Sequence, residues 1–256
     1  MRHVSLDHDV APAMDGLSIT IVMLTFLLAG GVKGVVGLGL PTVSVALLSA
    51  AFGIEAALPL LVIPSFVTNV WQGAVGGNAM TLFRRFGVAL AIIPVTTWIG
   101  YHYVFVEAPQ AMDRALGVAL LVYAGLGLRA VRFPVPARAE AALTPFIGVV
   151  NGLITGVTGT FVIPIVMYLE ALGLERDELV QMMGITFAVS TAALAGVLVL
   201  HGAYRVEASF VSALAVVPAI AGMLIGARFR TRLTPATFRK WLLVGLGIVG
   251  LKLLVV

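Results

Sequence analysis

The sequence predicts an all-α integral membrane protein of two homologous, inverted halves, each a broken, re-entrant helical hairpin followed by three transmembrane helices. Three observations lead there. Apolar residues make up 60% of the 256-residue chain, charged residues 11%, and the mean hydropathy is +1.08. A soluble fold of this length would need far more charge to cover its surface. The chain also repeats itself: Gly34-Val-Val-Gly37-Leu-Gly39-Leu-Pro41 returns as Gly152-Leu-Ile-Thr-Gly156-Val-Thr-Gly159-Thr-Phe-Val-Ile-Pro164, and Phe52-Gly53-Ile-Glu55 as Leu172-Gly173-Leu-Glu175. Pro94 matches Pro218, and Pro109 with Arg114 matches Pro235 with Lys240, at a steady offset of roughly 119 to 126 residues. Third, both copies open on an apolar segment interrupted by Gly and Pro, the profile of a secondary transporter.

Taken in order, residues 1–16 form a polar tail with Asp7, Asp9 and Asp15 beside one Arg. That flank is wrong for a secretory leader. Apolar stretches able to cross about 30 Å of hydrocarbon follow near 17–53, 56–76, 86–106 and 112–131, making the first repeat 17–131. A linker, 132–141, holds Pro134 and Pro136. The second repeat, 142–256, has stretches near 142–172, 179–200, 208–227 and 238–256. Segments 17–53 and 142–172 are too long for one helix and carry the breaks. Thr234 reads as an N-cap with Pro235 at the first helical position.

Lysine and arginine positions choose the topology. If each long segment crosses once, eight basic residues face one side and seven the other, no bias at all. If each enters, breaks and returns, Arg84, Arg85, Arg129, Arg132, Arg138, Arg176, Arg228, Arg230, Arg232, Arg239 and Lys240 share one side. Only Arg2, Arg114, Arg205 and Lys252 lie opposite, eleven against four. The positive-inside rule selects the hairpins and places both termini outside the cytoplasm of a cytoplasmic (inner) membrane protein. The same parity inverts the two halves. Their equivalent loops agree: Glu107 to Arg114 carries two acids and one base, Arg228 to Lys240 five bases and no acid.

Lys33 is the one basic residue within an apolar span, and no acid lies comparably deep. Such a cation faces a cavity or a partner, and an anionic substrate is the simplest partner; snorkelling to the interface is the alternative. A helix restarting after a break presents unpaired N–H groups and positive dipole. Gly37, Gly39 and Pro41, with Gly156, Gly159 and Pro164, are therefore expected to form two such ends, and Thr42, Thr155, Thr158 and Thr160 to add hydroxyl donors. Close helix packing is the competing role for these glycines. Asn69 and Gln72, three residues apart with Thr68 beside them, should turn inward with Thr186, Ser190 and Thr191 of the second half. Asn151 sits just before Gly152. Whether inward means substrate or another helix stays open at this level.

Other chemistry is excluded or bland. The chain has no cysteine, so disulfides and thiolate metal sites are out. His3 and His8 belong to the tail, while His102 and His201 fall at helix ends without metal-ligand spacing. Glu55 and Glu175 sit at helix starts, as capping electrostatics favours. No nucleotide loop, zinc-protease helix or nucleophile triad is present, so no cofactor and no enzymatic reaction is expected. The net charge of +4 comes from residues between spans and implies no nucleic-acid partner.

With these residues assembled, the chain from about Leu17 to Val256 resembles the TauE/SafE family of sulfite and organosulfonate permeases. The resemblance rests on the duplicated Gly/Pro openings, the run Gly184-Ile-Thr-Phe-Ala-Val-Ser190-Thr, His201-Gly202, and Gly222-Met-Leu-Ile-Gly226-Ala-Arg228, similar to the family's Gly-x-x-x-Gly-Ala-Arg signature. The first half departs from it, with Gly100-Tyr-His102 in the equivalent place. The resemblance implies a carrier for a small sulfur-containing anion such as sulfite, sulfoacetate or another organosulfonate. The residues independently ask for an anion site, and the leading reading is a secondary carrier with alternating access, driven by an ion gradient (H+ or Na+) or by membrane potential. A passive anion channel and a non-transporting membrane scaffold are the rival readings, and a homodimer is compatible with all three.

Overall fold

A computed structural model describes residues 15–107, 111–129, 135–204, 206–229 and 235–255. Most of the expected tail, Pro109, Arg132, Pro134, Arg205, Arg230, Arg232 and the Thr234 cap lie outside them. The described residues form helices only: α1 (Gly16–Val36), α2 (Leu40–Phe52), α3 (Ile54–Ala74), α4 (Ala79–Glu107), α5 (Ala111–Leu128), α6 (Ala137–Thr158), α7 (Ile165–Ala171), α8 (Arg176–Leu200), α9 (Val206–Leu214), α10 (Val216–Phe229) and α11 (Pro235–Val255). Among the described residues, seven stretches are long and apolar enough to cross a membrane: α1, α3, α4, α5, α6, α8 and the α9–α10 run. α11 matches α1 in length but carries Arg239 and Lys240 near one end and Lys252 near the other. The stretch expected as a plain helix near 208–227 has a joint at Ala215, just ahead of Pro218, whose ring nitrogen has no hydrogen to donate.

Both long segments break at their glycines. α1 closes on Gly37 in the left-handed region (φ 88°), its N–H bonding the Lys33 carbonyl at 2.7 Å. Gly39 (φ 106°) then starts α2, with Pro41 in the first turn where no donor is needed. α6 closes the same way on Gly159 (φ 64°), whose N–H reaches the Thr155 carbonyl at 2.8 Å, and the chain runs without helix to Pro164 and α7. The flanking helices α1 and α6 have 21 and 22 residues, full crossings rather than half-helices.

Glycine contacts fix the helix directions. A Cβ at Gly30 would overlap the Ala219 carbonyl, one at Gly34 that of Met223, one at Gly222 that of Leu27 and one at Gly226 that of Gly31. Residue numbers rise together, so α1 and α10 run parallel in backbone contact. Gly148 against Ala89, Gly152 against Ile93 and Gly156 against Thr97 make α4 and α6 a second parallel pair. Gly73 meets Gly184 while Gly76 meets Gln181, so α3 and α8 are antiparallel; Gly117 against Gly250 and Gly127 against Leu243 make α5 and α11 antiparallel too. Small residues permit such approaches where lipid offers no hydrophobic drive between helices. With these directions, Arg84, Arg85, Arg129, Arg138, Arg176, Arg228, Arg239 and Lys240 fall at one end of the bundle, and Arg114 and Lys252 at the other.

Candidate functional site

Lys33 occupies the last turn of α1 and is only 2% exposed. Its ammonium donates to Thr68 Oγ1 at 3.3 Å and to Asn69 Oδ1, both on α3. Thr68 can accept because its own hydrogen goes to the Pro64 carbonyl at 2.8 Å. Among the described residues no carboxylate comes within ion-pair distance of Lys33, so its partners are neutral. One ammonium N–H is left over, since the group has three donors. Asn69, turned so that Oδ1 meets the ammonium, leaves Nδ2 buried without an acceptor. Buried donors therefore exceed acceptors around Lys33.

A cavity of about 460 Å3 opens beside Lys33, bounded by α1, α3, α8 and α10. Lys33, Thr68, Gln72 and Asp177 give it polar groups, Gly34 and Gly37 bare backbone, and Val67, Trp71, Val75, Val180, Ile220, Met223 and Leu224 an apolar wall. Gln72 is anchored by its Nε2 to the Val180 carbonyl at 2.8 Å, tying α3 to α8.

The expected site residues divide. Lys33, Gly37 and Gln72 line this cavity, and Asn69, fully buried, stands behind it as the partner of Lys33. Thr42 and Thr160 meet instead across a gap too narrow for water, lined also by Leu120 and Tyr123, which brings the two breaks side by side. Around the second break the hydroxyls are engaged locally. Thr155 donates to the Thr160 carbonyl (3.2 Å), Thr158 to that of Ile154 (2.7 Å), and the Thr158 and Thr160 hydroxyls pair at 2.9 Å. Asn151, with its NH2 toward the break, donates to the carbonyls of Phe161 and Ile163 at 3.1 and 3.2 Å. These groups satisfy the backbone that the missing helical turn leaves bare. Gly39 is buried against Val32, and Gly156 lets α6 touch α4. Ser190 and Thr186 are buried on α8, their hydroxyls without partners among the described residues.

Sequence reasoning missed several partners. Asp177 and the α10 wall join the cavity only through helix pairing. Gln181, 1% exposed, spans α8 to α3 by donating to the Gly73 carbonyl (3.0 Å) and accepting from Asn78 N–H (3.1 Å). His102 and His201, expected at helix ends, pair at 3.2 Å near the ends of α4 and α8, with Trp98 stacked on His102. A helix-end histidine in sequence carries no sign of a partner ninety-nine residues away.

A polytopic helical bundle with two interrupted spans, and a buried cation at the head of an open cavity between helices, has the build of a membrane transporter. Residues 22–253 match the model of the sulfite exporter TauE/SafE family. The chain belongs to that family, whose members are membrane transporters of sulfur-containing anions rather than enzymes. Neither the curated proteins nor the solved structures include a match to it.

Proposed function

We propose that this chain is a secondary carrier that binds a small sulfur-containing oxyanion, sulfite or an organosulfonate, at Lys33 and exposes it alternately to the two sides of the cytoplasmic membrane. The carrying observation is the Lys33 ammonium: deep in a spanning helix, at a cavity, held only by the neutral oxygens of Thr68 and Asn69. Sequestering a charge from water is costly unless an opposite charge joins it. An arriving anion supplies that charge, and the Gln72 amide and Thr68 hydroxyl lie beside it.

Alternating access rests here on two inverted halves, with α1–α5 the counterpart of α6–α11. The helix pairing supports this, because α1 on α10 mirrors α6 on α4, while α3 on α8 and α5 on α11 are self-equivalent pairs. A two-fold axis in the membrane plane makes self-equivalent spans antiparallel, as both are, whereas an axis along the normal makes them parallel. Glycines at positive φ recur at the repeat offset, Gly39 with Gly159 and Gly53 with Gly173. The basic end of the bundle faces the cytoplasm, so the Lys33 cavity, lined by Gly76 and Asp177 near that end, is an inward-facing one. The driving force is an ion gradient or the membrane potential.

Proteoliposomes loaded with labelled sulfite or sulfonate test the reading. Saturable flux with counterflow is expected, falling at least about tenfold in Lys33→Met, the loss of one charge-assisted contact. Unchanged kinetics in that variant would remove Lys33 from the mechanism, and flux without saturation or counterflow would make the protein a channel.

A further inference from the structure

We infer that the cavity is built for an anion with an apolar tail, its oxyanion head at Lys33 and its tail along Val67, Trp71, Ile220 and Leu224. The inference rests on the proposed anion site and names the class of substrate that fits it. Size comes first. About 460 Å3 lies within the range of pockets that enclose small organic molecules, about 300–1,000 Å3. Water fills roughly 30 Å3 per molecule in the liquid, so a bare inorganic oxyanion would leave most of the space to solvent against an apolar wall.

Chemistry points the same way. Among the described residues Lys33 is the one cation of the lining, and apart from Thr68, Gln72 and Asp177 its side chains are hydrocarbon and indole. Trp71 is 68% and Leu224 62% exposed on α3 and α10, so the wall continues onto the bundle's outer face. The occupant is a free amphiphile rather than a bilayer phospholipid. A phospholipid keeps its charge at the headgroup surface with its chains inward. Here the cation is buried within the bundle, while the exposed part of the wall is apolar and Asp177, also exposed, is an acid.

Purified intact protein in neutral detergent is titrated with sulfite, then with methane-, butane- and hexanesulfonate. Lys33→Met serves as the control for partition into micelles. Affinity should rise about fourfold per added methylene, the worth of one buried CH2, until the chain fills the cavity. Leu224→Asn should flatten that dependence; the series on the unaltered protein stands alone if this variant does not fold. Sulfite and methanesulfonate binding as tightly as hexanesulfonate would overturn the tail site and leave the anion carrier standing. Failure of every anion, sulfite included, would sink both. Loss of hexanesulfonate binding on adding phosphatidylglycerol would assign the wall to lipid and overturn the inference.

Discussion

Asn69 and Ser212 show how single side chains make a broken, polar interior tolerable in a membrane. Asn69 lends its oxygen to Lys33 without neutralising it. Asn69→Asp would set a carboxylate on the ammonium and cancel the charge offered to a substrate. Binding of any anion at the cavity should then weaken about ten- to a hundredfold, as for loss of a charged hydrogen bond, with unliganded melting little changed; isothermal titration reads the first and a thermal scan in detergent the second. Ser212 answers a different need. Pro64 lies inside α3 and leaves the Leu60 carbonyl without its helical donor. The Ser212 hydroxyl, arriving from α9, donates to that carbonyl at 2.8 Å and accepts from Ile63 N–H at 3.2 Å. Ser212→Ala leaves a buried acceptor bare and should cost about 1–3 kcal/mol, measured as a shift in denaturant unfolding in detergent.

Among the elements, the breaks were legible in the sequence because glycine and proline act locally: a positive φ or a missing N–H needs no partner to be recognised. Lys33 was legible for the same reason, one charge against an apolar background. The threonines of the second break were legible only as polar, since hydroxyls that close a turn and hydroxyls that hold a ligand look alike in sequence. Pairings such as Gln181 with Gly73, Ser212 with Leu60 and His102 with His201 were not legible at all, for helical periodicity gives a face but no register against a distant helix. The His pair makes a measurable claim. It joins the ends of α4 and α8, so His102→Ala and His201→Ala should be non-additive, with a coupling of about 0.5–1.5 kcal/mol in a double-mutant cycle. The glycine seams make another. Gly34→Val or Gly156→Val drives a side chain into a facing carbonyl or backbone and should cost about 3 kcal/mol or more, read as lost monodisperse yield. At Gly87, where a Cβ would meet nothing within 4 Å, Gly87→Ala should be silent.

At the level of the whole molecule, the proposed inverted halves draw support from helix directions, pairing symmetry and basic residues together. Antiparallel α3 and α8 favour segments that turn back over ones that cross once, the choice the charge count makes independently. The absence of cysteine from the sequence allows a direct check of orientation. Lys240→Cys, in the first turns of α11, should be labelled by an impermeant maleimide only in inside-out vesicles, and its counterpart Arg114→Cys, at the start of α5, only from outside the cell. Labelling of both from the same side would contradict the inverted arrangement.

The seam between α1 and α10 also bears on how the chain is made. Gly30 rests on Ala219, a partner 189 residues further along. On a ribosome feeding a membrane, the first span must wait with its bare backbone stripe toward lipid until nearly all the rest has been inserted. Nascent chains halted before α10 should be cleared by membrane proteases, while those carried through it should resist, so maturation of this protein is a late and concerted event rather than one that proceeds half by half.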